Sequence, residues 1–160
     1  MCIRDSVSTY AKFDGTLVYG LPMLPEKGSG DFGSIVNGEH DWVYHKIAGD
    51  LVTEGRGRSI VRIGWEANGD WFRWNATART AREYVAAFRH IVDVLHSVAP
   101  DLVIDFDISC GVPLRGQKNR LAALTELYPG DDAVDIVGCD TYDWYYTCLL
   151  YTSPSPRDRS

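Results

Sequence analysis

The chain has 160 residues, a net charge of −6 and 24% charged residues. That length allows one ordinary domain or part of a larger one, and an acidic balance with dispersed arginines argues against a nucleic-acid surface. No apolar run approaches the ~20 residues needed to cross a bilayer, so no membrane span is expected.

The chain opens on Met1-Cys2-Ile3-Arg4-Asp5-Ser6 and closes through Cys148-Leu149-Leu150-Tyr151-Thr152-Ser153-Pro154-Ser155-Pro156-Arg157-Asp158. Both runs read like one translated transposon adapter of the kind used in sequencing libraries, in complementary orientations. Residues 1–6 and 147–160 are therefore expected to be adapter-derived, and residues 7–146 to be the native portion. Cys110 and Cys139 are the cysteines left in that portion. Adjacent strands rarely supply disulfide geometry, so free buried thiols are expected.

Thr16–Leu21 is a short apolar run between Gly15 and Pro22, a buried strand. Gly28-Ser29-Gly30-Asp31-Phe32-Gly33 formally matches a dinucleotide fingerprint. Such a loop must join a strand directly to the helix it opens; here Pro22 and Pro25 intervene, the next helical pattern starts later, and a flexible surface loop is expected. From Asp41 to Val52, Trp42, Val43, Ile47, Leu51 and Val52 recur at helical spacing, with Trp42 read as a packing residue. Ser59–Glu66 is the next strand. Thr80 and Glu83 form a candidate capping box for a helix whose apolar stripe is Tyr84, Val85, Phe88, Ile91, Val92, Leu95 and Val98, stopped by Pro100. Leu102–Ile108 is a strand with Asp105 and Asp107 on one side; Leu121–Leu127 is a short helix, and Val134–Tyr142 a strand.

Four strands alternating with helices imply an α/β fold with a parallel sheet, either open and doubly wound or part of a (β/α)8 TIM barrel. A whole barrel needs about 250 residues, so this chain would supply only part of one. In both architectures functional side chains gather at the carboxyl ends of strands, and Glu66, Asp107, Asp140 and Tyr142 fall there.

Alternation through Ser59–Glu66 places Ile60, Arg62, Gly64 and Glu66 on one face and Val61, Ile63 and Trp65 on the other. The face that carries ions ends at an acid, and a polar loop holding Trp71, Phe72 and Trp74 follows. A carboxyl beside flat aromatic platforms suits sugar chemistry. Taken alone, Glu66 also reads as an ion-pair partner of Arg62. Trp65 also reads as a packing residue, Asp140 as a backbone-satisfying group, and Asp105 and Asp107 as polar residues of a barrel lumen. No Cys/His spacing suits a metal; His40, His45, His90 and His96 read as surface or helix-packing residues. Asn75-Ala76-Thr77 is a formal glycosylation sequon.

From about Thr16 to Tyr146 the sequence resembles glycoside hydrolase family 26, which includes β-mannanases and some β-glucanases. The resemblance rests on Arg62-x-Gly64-Trp65-Glu66-x-Asn68-Gly69-x-Trp71-x-x-Trp74 and on Tyr128-Pro129-Gly130-Asp131-Asp132-x-Val134-Asp135-x-Val137-Gly138-x-Asp140-x-Tyr142. It implies a (β/α)8 barrel of which this chain holds about strands 3 to 6. It also implies a retaining hydrolase acting on polysaccharide, with Glu66 as general acid/base, and a secreted parent protein. Trp71 would line the sugar subsites and Tyr142 would contact the nucleophile. Trp65, Asn68, Trp74 and Asp140 complete the expected substrate-binding set. No cofactor is implied. The nucleophile belongs to a later strand outside this chain, and where mannanases of the family commonly carry histidine before the acid/base this sequence has Trp65. Part of a barrel leaves open sheet edges and exposed core, so the isolated chain is expected to aggregate or stay partly molten, without hydrolase activity. A noncatalytic carbohydrate-binding barrel is the competing class; an open-sheet nucleotide enzyme using Gly28, Gly30 and Gly33 is the second.

Overall fold

A computed structural model describes residues 9, 10, 12–119 and 121–141. The expected terminal segments 1–6 and 147–160 and the expected site residue Tyr142 lie outside the described residues.

The strands are β1 (Val18–Leu21), β2 (Ile60–Ile63), β3 (Val103–Ser109) and β4 (Ile136–Asp140). The helices are α1 (Phe32–Val36), α2 (Asp41–Thr53), α3 (Ala81–Val98) and α4 (Ala122–Leu127). Every neighbouring strand pair is parallel, with Gly20 opposite Arg62, Arg62 opposite Asp105 and Asp107 opposite Gly138. The sheet order β1-β2-β3-β4 follows the chain without reversal. A doubly wound sheet reverses its order at a switch point. Sequential order throughout is that of a (β/α)8 barrel, of which these strands form an arc.

The helix-packed face of the sheet is hydrocarbon. Val61, Ile63, Ile104, Phe106 and Ile108 are buried there, and α3 covers them with Tyr84, Phe88, Ile91, Val92 and Leu95. Phe88 meets Phe106 edge-on at 6.0 Å, and Phe106 meets Tyr128 at 5.7 Å. The opposite face turns Arg62, Asp105, Asp107, Gly138 and Asp140 toward what becomes the lumen of a closed barrel. Among the described residues β1 and β4 each pair on one side only, and Val18 and Val137 on these edges are about half exposed.

Several local expectations need correction. The loop around Gly28–Gly33 runs directly into α1, whose N-cap Asp31 forms a capping box with Ser34 and whose Phe32 and Ile35 are buried. A carboxylate therefore occupies that helix start, the place a phosphate would need. In α2 the inward residues are Tyr44, Ala48 and Leu51. Tyr44 wins the interior because its hydroxyl donates to the Met23 carbonyl at 2.9 Å, and Trp42 is 69% exposed rather than packed. Thr80 precedes α3 without capping it, because its hydroxyl accepts the Thr77 N–H instead. Cys110 and Cys139 are exposed and joined in a disulfide, with Cα atoms 5.6 Å apart, rather than being free buried thiols. Cys110 lies one residue beyond β3, where its N–H still donates to the Asp140 carbonyl of β4 at 3.0 Å and brings it beside Cys139.

Candidate active site

Strand β2 ends at Ile63, three residues short of Glu66, so the alternation expected to reach the acid stops early. Gly64 and Glu66 both take left-handed backbone conformations, φ 50° and 52°. At Gly64 a side chain would strike Met23, so glycine is required on packing grounds as well. At Glu66, a residue with a Cβ, the same conformation costs roughly 1 to 2 kcal/mol. Neighbouring backbone holds the turn: Gly64 donates to Leu21 O at 2.9 Å and Glu66 donates to Asp107 O at 3.1 Å. Asn68 locks the loop to β3. Its amide donates to the carbonyls of Ser109 and Val112, both at 2.7 Å, and accepts from the Ser109 N–H at 2.9 Å. Asn68, expected to bind substrate, is buried and committed to this clamp.

The product of this folding is a buried carboxyl with two unlike oxygens. Oε2 of Glu66 accepts a hydrogen bond from the Trp71 indole N–H at 3.0 Å. Oε1 is buried and has no partner among the described residues. Trp71 is half exposed, and its ring lies so close over Gly69 that any Cβ there would collide with it. Trp74 behaves differently from the exposed platform expected. It is 5% exposed, stacks on Phe72 at 4.6 Å and donates its indole N–H to the Trp65 carbonyl at 2.8 Å. The loop folds back so that this N–H is satisfied indoors. Trp65 is half-buried, edge-on to Phe72 and Trp74, with its outer ring beside Gly20.

Arg62 does not pair with Glu66. It contacts Asp105 at 2.7 Å, Asp140 at 3.2 Å and Asp107 at 3.6 Å. Asp107 is fully buried and neither of its oxygens accepts a hydrogen bond. Burial, reinforced by the charges of Asp140, Asp105 and Glu66 and opposed by Arg62, pushes its carboxyl up to about 7. Alternation marked Asp107 as facing the lumen; nothing in the sequence marked it as unpartnered. Asp140 is half-buried at the end of β4.

Most of the second motif builds the scaffold beneath this site. Arg89 of α3 grips Asp132 through two bonds of 2.8 and 2.6 Å and the Pro129 carbonyl at 2.7 Å. Tyr128 donates to Asp131, and Asp135 accepts the Ile104 N–H at the start of β3. Gly138 makes room for the lumen acids, since a Cβ there would lie 2.6 Å from Asp107 Oδ2. Three of the histidines make polar contacts within the protein: His40 with Ser34, His90 with Asp41 and His96 with the Leu102 carbonyl. Among the described residues no group of His, Cys, Asp and Glu side chains is arranged to hold a metal ion, and no helix is long and apolar enough to cross a membrane.

A sequential parallel sheet with a buried acid just beyond one strand's carboxyl end defines a (β/α)8-barrel protein with its candidate chemistry at the carboxyl rim. Residues 45–149 match glycosyl hydrolase family 26, and the chain belongs to that family. It is 34% identical over 115 residues to "Endoglucanase H" of Acetivibrio thermocellus, a match covering 69% of this chain and 12% of that protein. It is 40% identical over 84 residues to "Mannan endo-1,4-beta-mannosidase" of Bifidobacterium adolescentis, covering 52% of this chain and 8% of that protein. The chain thus spans about a tenth of the length of these curated relatives.

Proposed function

We propose that this chain is part of a retaining glycoside hydrolase that cleaves β-linked polysaccharide, a mannan or a β-glucan, with Glu66 as the general acid/base. The observation that carries the proposal is the asymmetry of the Glu66 carboxyl, one oxygen engaged by Trp71 and the other buried and free. An oxygen that accepts from an indole is poorly placed to donate, so Oε1 is left to carry the transferable proton. In a retaining mechanism that proton goes to the departing glycosidic oxygen while a second carboxylate, ~5 to 5.5 Å away, attacks the anomeric carbon. Glu66 then takes a proton from the water that releases the sugar.

The exposed face of Trp71 offers a stacking surface for a pyranose ring beside the acid. Trp65 and Asp140 border the same rim, and Tyr142 is assigned to it by the family motif. Trp74 and Asn68 support the loop from behind and act through Trp65 and the backbone. The nucleophile lies outside this chain, so the 160-residue piece alone does not turn over substrate. One relative is named an endoglucanase and the other a mannosidase, and both substrate classes stay within the proposal.

The test is Glu66→Gln in the complete protein that carries this segment. Cleavage of unactivated polysaccharide is expected to fall by a factor of about 10² to 10⁴ with binding retained. Undiminished cleavage would overturn the assignment. Wild-type protein that binds the polysaccharide without cutting it would establish the noncatalytic alternative.

A further inference from the structure

Among the described residues the lumen face carries more buried acid than its one cation, Arg62, can neutralise. Arg62 spends its short contacts on Asp105 and Asp140, and its remaining approach to Asp107, 3.6 Å, is longer than a hydrogen bond. Asp107 is nevertheless the most deeply buried of these acids, and neither of its oxygens has a hydrogen-bond partner among the described residues. Strand β4 offers no donor from the far side, because the residue opposite is Gly138. Among the described residues the titratable or charged groups near Asp107 are Arg62 of β2, Asp105 of its own strand, Asp140 of β4, Glu66 of the loop after β2 and Tyr84 of α3. The Tyr84 hydroxyl is directed to the Gly64 carbonyl at 3.2 Å.

An ionised carboxylate that is dry and unbonded costs more than one that keeps its proton. On the reading of Glu66 as acid/base, we propose that Asp107 is a positioning residue that holds the spare proton of the lumen cluster and stands beneath Glu66 as a neutral carboxylic acid. Glu66 must alternate between acid and base during a retaining cycle. A neutral Asp107 spares the Glu66 carboxylate a second negative charge behind it. When Asp107 ionises at higher pH, its charge opposes loss of the proton from the site. Burial as the leading cause already pushes Asp107 to about 7, in accord with this role.

Asp107→Asn, an isostere of the neutral acid, separates the possibilities in the complete protein. At about pH 5 to 6 its kcat/KM on polysaccharide is expected to stay within roughly threefold of wild type. Its alkaline limb is expected to move to lower pH by about half a unit or more, because no second charge then opposes deprotonation. A larger loss on the acid side, or superimposable profiles, overturns the proposal. Infrared spectra of protein labelled with ¹³C-aspartate give an arm independent of hydrolysis. A protonated aspartate band should persist past about pH 5.5, well above the ordinary aspartate range, and be absent from Asp107→Asn. If every labelled aspartate in wild type is ionised by then, Asp107 does not hold the proton, whether or not the variant folds. If Glu66→Gln proves active while that band is present, the acid/base assignment fails and the buried proton remains.

Discussion

The two faces of the sheet are made by the same strands and follow opposite rules. On the helix-packed face Ile63, Ile104 and Phe106 are fully buried among other hydrocarbons, and each buried atom contributes to stability. On the lumen face Arg62 sits opposite Asp105, with Asp107 two residues on, and carboxylate oxygens of Glu66, Asp105 and Asp107 are buried without hydrogen-bond partners among the described residues. Charges removed from water and left partly unpaired reduce stability. The first face supplies the stability that lets the second keep polar groups unsatisfied.

Substitutions on each face can break or sharpen that contrast. Phe106→Ala opens a cavity beneath Phe88 and Tyr128 and is expected to lower unfolding free energy by roughly 3 to 5 kcal/mol, read by urea denaturation of the complete protein. Activity per folded molecule should change little, and a selective loss of activity would show that the faces are not separable. Trp71→Phe keeps an aromatic platform but removes the hydrogen bond to Glu66 Oε2. A bond to a carboxyl contributes about 1.5 to 3 kcal/mol, so kcat/KM is expected to fall about 10- to 100-fold, and unfolding free energy by about 1 to 3 kcal/mol because Glu66 Oε2 is left buried without a donor. The smallest effect is expected at Asp132→Asn on the exposed surface. The hydrogen bond from Arg89 holds the Asp132 carboxyl down to about 2. Its stabilisation is therefore present above the ordinary aspartate range and lost as pH falls toward about 2. Thermal unfolding should show a small deficit for the variant at neutral pH that disappears in strong acid, with no change in activity.

The elements that packing alone decides were legible in the residues. The long stripe of α3 matches what the structure buries except at its last residue, the exposed Val98, since hydrophobic period follows directly from which face is inward; the alternation of β3 separates hydrocarbon from acid, although both of its faces are buried. The acid and the aromatic that touches it were legible through the family motif. The course of the chain between them was not. Two left-handed residues end β2 early, and glycine at position 64 is compatible with many paths, so the sequence does not announce this one. Trp71 and Trp74 stand three residues apart in one polar loop, yet one faces solvent and the other enters the core. That choice depends on whether a backbone carbonyl is available to each indole, here Trp65 O for Trp74. Trp42 was misread because Tyr44, two residues on, finds a buried carbonyl that an indole at position 42 does not reach. Asp107 carried no mark of its state, because a carboxyl without hydrogen bonds is defined by what its neighbours fail to provide.

Glu66 is tethered to β3 through the main chain, its N–H on the carbonyl of Asp107. That bond is indifferent to the side chain at position 107. The inward side chains of β3 can therefore be exchanged without dragging the proposed proton donor out of line. This leaves the third strand as a dial on which pH response could be retuned, by evolution or by design, while the backbone at position 66 stays where it is.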